Sequence, residues 1–112
     1  MQKSENEQLS VTEQITRYIS DHVDNVTLGE LSKQFSYHPN YISALIHKET
    51  GKTFKQLVLE ERMSRAVILM KNTTLSNEEI AVMLGYSDQS NFYKAFREFY
   101  GVSPREYEIT DQ

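Results

Sequence analysis

Apolar residues recur along this chain three and four apart, and nowhere alternate with period two for long enough to suggest a strand. Ile15, Tyr18, Ile19, His22 and Val26 share one helical stripe; Phe54, Leu57, Val58, Met63, Ala66, Val67 and Met70 make another along the longest segment. Phe92, Ala95, Phe96 and Phe99 form a third, and Ile42, Leu45 and Ile46 turn toward a core from a shorter segment. Start signals punctuate these stripes. A Ser or Thr followed three residues later by Glu or Gln can cap its own helix, the hydroxyl taking the third amide while the acid or amide reaches back. The pattern stands at Ser10…Glu13, Thr27…Glu30, Thr53…Gln56, Ser76…Glu79 and Ser103…Glu106. Pro39 and Pro104 sit at first helical positions, where a missing N–H costs nothing. Gly51, Gly85 and Gly101 are stops suited to a left-handed residue. Seven helices are expected, over 9–25, 28–35, 39–50, 54–72, 77–84, 88–100 and 104–109.

The pattern repeats. Thr27-Leu28-Gly29-Glu30-Leu31 superposes on Ser76-Asn77-Glu78-Glu79-Ile80 at an offset of 49, and Phe35-Ser36-Tyr37 falls on Leu84-Gly85-Tyr86. Farther on, Gly51-Lys52-Thr53 falls on Gly101-Val102-Ser103 at an offset of 50. Each copy reads as a short helix, a tight turn carrying an aromatic, a second helix, a glycine stop and a new cap, which is the helix-turn-helix plan. The fold expected is all-α: a first helix-turn-helix subdomain over 9–53, a connecting helix over 54–72 and a second subdomain over 73–112, behind a polar tail or linker, 1–8. At 1.5 Å per residue the connecting helix spans roughly 27 Å, a suitable spacer for two helices entering successive major grooves about 34 Å apart.

Composition narrows the chemistry. The chain has 112 residues and no cysteine, which removes disulfides, thiolate nucleophiles and cysteine zinc sites together. No apolar run approaches a membrane span, and MQKSENEQ lacks the apolar core of a signal peptide. The net charge is -4, all of it in residues 1–30, where Lys3 and Arg17 face six acidic residues; the remainder balances ten against ten. His22, His38 and His47 show no metal spacing, no glycine-rich phosphate loop is present, and the adjacent pairs Glu60-Glu61 and Glu78-Glu79 point apart on a helix. No enzyme activity, metal or cofactor is expected.

The run from Ile80 through Gly85-Tyr86-Ser87, Phe92, Lys94, Phe96-Arg97 and Gly101-Val102-Ser103-Pro104 to Tyr107 resembles the AraC/XylS family of bacterial transcription regulators. Leu31, Pro39, Tyr41-Ile42-Ser43, Lys48-Glu49-Thr50-Gly51, Arg62-Met63 and Ala66 agree, and the resemblance covers about residues 9–109. It departs at Lys94, where the family usually has Arg, and at Glu98, Ile46-His47 and Glu108, the last three of which lower positive charge beside the expected DNA face. The resemblance implies a cytoplasmic, sequence-specific double-stranded DNA-binding domain, in an intact regulator that is an activator, contacts RNA polymerase and carries a sensor or dimerisation domain outside this chain; the polar segment 1–8 favours such a fragment over one of the rarer free-standing members.

On that reading 39–50 and 88–100 are the recognition helices. Asn40, Ser43, Ala44 and His47 share one face of the first, and Gln89, Ser90 and Lys94 line the second. Asn and Gln can pair both edges of adenine, Lys suits guanine, and Ala offers a methyl contact. Lys33, Lys48, Lys52, Arg97 and Arg105 are the expected phosphate ligands. Asp88 is read as a helix cap, Arg62 as structural, and the aromatics of 88–100 as core. The rival reading is a helical protein-interaction module with weak or lost DNA affinity.

Overall fold

A hydroxyl, carboxylate or ring nitrogen receives a free amide at the start of all seven described helices, and those contacts set where the elements begin. The computed structural model describes residues 10–110; the expected tail, 1–8, lies outside them. Seven α-helices follow in order among the described residues: α1 Val11–Asp21, α2 Leu28–Phe35, α3 Pro39–Thr50, α4 Phe54–Asn72, α5 Asn77–Met83, α6 Gln89–Tyr100 and α7 Pro104–Thr110. Reciprocal capping boxes close at Ser10 with Glu13 and at Ser76 with Glu79. At α4, Thr53 N–H donates to Gln56 Oε1 at 2.8 Å, and Gln56 N–H to Thr53 Oγ1 at 3.1 Å. The backbone and hydroxyl of Ser76 hold the Glu79 carboxyl below its ordinary range.

One start departs from the expected capping pattern. Thr27 Oγ1 accepts the Glu30 amide at 3.0 Å, but the Glu30 carboxylate faces the Tyr18 phenol, with its Oε2 buried and unpartnered. Burial first, then Glu30, pushes the Tyr18 phenol above its usual range. Asp88 caps α6 as expected, accepting the Asn91 amide at 2.8 Å, so the helix itself begins at Gln89 and not at 88.

The first helix also stops earlier than the expected residue 25. His22 closes α1 with φ -132° and ψ 34°, its Nδ1–H donating to Tyr18 O at 2.9 Å and its ring stacked on Tyr18 with centroids 4.0 Å apart. A turn over 22–25 follows, and it still buries Val23 and Val26. The last helix runs one residue past its expected end, and α5 one residue short of it.

The chain divides into two compact units, which meet within α4 between Val58 and Leu59. The first gathers Ile15, Ile19, Val26, Leu31, Ile42, Ile46 and Val58, with Phe35, Leu45 and Phe54 packed at its border. Its core is aliphatic. In the second, Met63, Ala66, Ile80, Ala81, Leu84, Phe92, Phe96 and Pro104 are buried, and the two phenylalanines anchor a cluster of rings. Phe96 lies 5.9 Å from Phe92, 4.7 Å from Tyr100 and 5.5 Å from Tyr107, centroid to centroid. Such offset and edge-on contacts add to the area the rings bury. Burial pushes the Tyr100 phenol up, and the neighbouring Tyr107 adds to it.

Candidate nucleic-acid interface

Each unit presents a tight turn and then its longer helix. In the first, Ser36 ends α2 in the left-handed region at φ 59°, and Ser32 Oγ donates across the turn to Tyr37 O at 2.5 Å. His38 caps α3, its Nδ1 accepting the Asn40 amide at 3.1 Å, which places the neutral ring's proton on Nε2. In the second, Gly85 occupies the equivalent left-handed position at φ 94°. The Tyr86 amide then reaches back to Ala81 O at 3.0 Å, and the Gly85 amide to Val82 O at 3.1 Å. Arg62 on α4 lies over the Tyr86 ring, 5.1 Å from its centroid. Burial pushes the Tyr86 phenol up, and the Arg62 charge and hydrogen bond oppose it. Arg62 thus has an aromatic partner within its own unit, in keeping with a structural role.

The two longer helices match position by position. Every residue from Asn40 to Gly51 falls in the same burial class as its counterpart fifty residues on, from Ser90 to Gly101. Ile42 and Ile46 face the core where Phe92 and Phe96 do. Asn40, Ala44 and His47 are exposed where Ser90, Lys94 and Arg97 are exposed. Both helices end on a glycine with positive φ, 73° at Gly51 and 81° at Gly101. The sequence offset is therefore a repeat of environment, and it leaves one polar face free on each helix.

The expected reading residues are not all equally available. Ser43 is half-buried, as is its counterpart Tyr93. Gln89, expected to line the reading face, is half-buried, and its Nε2 donates to Tyr93 Oη at 2.8 Å. Lys33, Lys48 and Arg105 are exposed; Lys52 is half-buried. Phe99, expected in the apolar stripe, is 41% exposed. Tyr41, outside the apolar stripes, is 51% exposed on α3, its ring 4.9 Å from that of Tyr37. Its place between Asn40 and Ala44 on the helix was the available signal. The exposed face of α6 carries Lys94 and Arg97, and that of α3 carries Lys48 beside His47. Such a surface can hydrogen-bond base edges through short polar groups and meet phosphates through the cations beside them.

A family model described as a helix-turn-helix domain matches residues 31–108. The Msm operon regulatory protein of Streptococcus mutans is 30% identical over 88 residues, 79% of this chain and 32% of that protein. The transcriptional activator PerA of Escherichia coli is 27% identical over 99 residues, 88% of this chain and 36% of that protein. Among solved structures, the C-terminal domain of AraT, a response regulator from Geobacillus stearothermophilus, superposes with a TM-score of 0.85 at 34% identity, covering 92% of this chain and 88% of that one. The DNA-binding domain of AdpA in complex with a target DNA has the same fold, with a TM-score of 0.82 at 17% identity over 91% of this chain and 93% of that one. The chain spans roughly a third of the length of the Msm regulator and of PerA.

Proposed function

The chain belongs to the AraC-type helix-turn-helix family of transcription regulators, and from that premise we propose that it binds double-stranded DNA in a sequence-specific manner. The observation that carries the reading is the repeat of environment: two helices, each with a buried seam of the same register and an exposed polar face. A second copy of a surface that reads a short run of base pairs doubles the sequence one chain can recognise. The residues assigned to bases are Asn40, Ser43, Ala44 and His47 on α3, and Gln89, Ser90 and Lys94 on α6. Lys33, Lys48, Lys52, Arg97 and Arg105 are assigned to phosphates. Asn40 is exposed and suits adenine.

In the intact regulator this activity serves transcription activation in the cytoplasm, with RNA polymerase and a sensor or dimerisation domain as partners. No described helix is long and apolar enough to cross a membrane. The two units are the DNA-binding subdomains of this scheme, and their recognition helices enter successive major grooves.

The test is fluorescence anisotropy of this chain on random and then selected duplexes across a salt series. Binding to DNA predicts a linear fall of log K with log salt, its slope counting the phosphates engaged, and a selected site of two short boxes about one helical turn apart. The second reading, a helical protein-interaction module, draws on Val82 and Met83, which stand 66% and 53% exposed on α5. Absence of binding to any duplex at low salt would replace the first reading with the second.

A further inference from the structure

Gln89 opens α6 on the face assigned to base reading, yet its side chain is already held. Its Nε2 donates to Tyr93 Oη at 2.8 Å, one helical turn on. The same oxygen accepts Asn77 Nδ2 at 3.3 Å, from the first residue of α5. The Tyr93 ring is itself fixed, lying edge-on to the fully buried Phe92 with centroids 6.1 Å apart. Two amides from two helices thus converge on one phenol. A free glutamine loses substantial rotamer freedom when it meets a base, and a pre-oriented one has already lost it. The held amide keeps one N–H and its carbonyl, the adjacent donor and acceptor that match N7 and N6 of adenine.

We infer that Tyr93 is a positioning residue that holds the Gln89 amide in the orientation presenting this pair to an adenine, and so sets a base preference without touching the base. The inference rests on the DNA-binding reading above and concerns the second unit alone. In the first unit Pro39, Ser43 and Leu28 stand at the positions of Gln89, Tyr93 and Asn77, and none can build the same clasp.

The test compares this chain with Tyr93→Phe, Gln89→Ala and the double variant. Affinities are measured on a selected duplex and on duplexes with each base pair of the second box changed in turn. The unaltered chain is expected to prefer A·T at one position by about fivefold or more. Tyr93→Phe and Gln89→Ala each lose most of that preference, and the double variant loses no more than either. Affinity for random duplex and the thermal unfolding midpoint of Tyr93→Phe stay close to those of the unaltered chain. Uniform weakening on every duplex with the preference intact overturns the inference, because a merely structural phenol would act that way.

A second readout needs no DNA: the Gln89 side-chain amide resonances are expected to shift in Tyr93→Phe, and unchanged resonances overturn the clasp. Shifted resonances in a chain that prefers no base pair would instead locate the failure in the DNA-binding reading, and would remove the role of the clasp with it.

Discussion

Where the first unit buries Ile42 and Ile46 on its longer helix, the second buries Phe92 and Phe96 fifty residues on. Where the first turns through Ser36 at φ 59°, the second turns through Gly85 at φ 94°. The exposed side differs as much: Asn40, Ala44 and His47 against Ser90, Lys94 and Arg97. Register is common to both units and chemistry is not. Helix length, glycine stop and the spacing of buried positions are backbone properties, satisfied by any apolar residues of roughly suitable volume. What fills the frame then decides how stable each unit is and how strongly it meets an anionic partner.

The largest expected effect lies in the cores. Phe96→Ala removes a ring that touches three others, and should cost about 3–5 kcal/mol, against about 0.5–1.5 kcal/mol for Ile46→Val in the first unit. Chemical denaturation of both variants measures the contrast. A Phe96→Ala cost no larger than that of Ile46→Val would mean that the aromatic cluster adds nothing to the frame.

The turns come next. Gly85→Ser places a Cβ in the left-handed region and should destabilise by about 1–2 kcal/mol, whereas Ser36→Gly relieves that strain and gains less than about 1 kcal/mol, since glycine also loosens the unfolded chain. Thermal melts of the pair read the two signs. Equal losses from both would show that the turns are not equivalent.

On DNA, Arg97→Ala should lower the slope of log K against log salt by about 1, while Ala44→Ser in the first unit leaves the slope unchanged. The smallest effect concerns a cap. Because Ser76 holds the Glu79 carboxyl low, the stabilisation it gives α5 is present above about pH 4.5 and is lost as the pH falls through the lowered value. Glu79→Gln, which keeps an acceptor but cannot titrate, should flatten that part of the pH–stability curve in melts between pH 7 and pH 3.

Much of this frame was legible in the sequence because its signals are local. A capping box spans four residues, and a left-handed glycine acts on its own helix end, so α2, α3 and α4 have their expected bounds. The features that escaped depend on residues far apart or on rings without a spacing rule. No glycine or proline marks the end of α1; the His22 ring against the Tyr18 carbonyl does. Glu30 completes no box because Tyr18, twelve residues earlier, claims its carboxylate. Gln89 is half-buried because its amide bonds Tyr93 one turn on, whose hydroxyl is bonded in turn by Asn77 from α5, and no spacing rule marks that contact. Of the reading face, the exposed positions on α3 and α6 followed from helical spacing, and the half-burial of Ser43 did not.

The matched burial of 40–51 and 90–101 has a consequence for how this chain could be rewritten. Positions 40, 44 and 47, and likewise 90, 94 and 97, point away from both cores, so a library randomised at these six sites leaves the folding instructions untouched. Each helix then behaves as one word of a two-word address, spelled in its own letters. Either word can be respelled without editing the other, except where Tyr93 already dictates how one letter is pronounced.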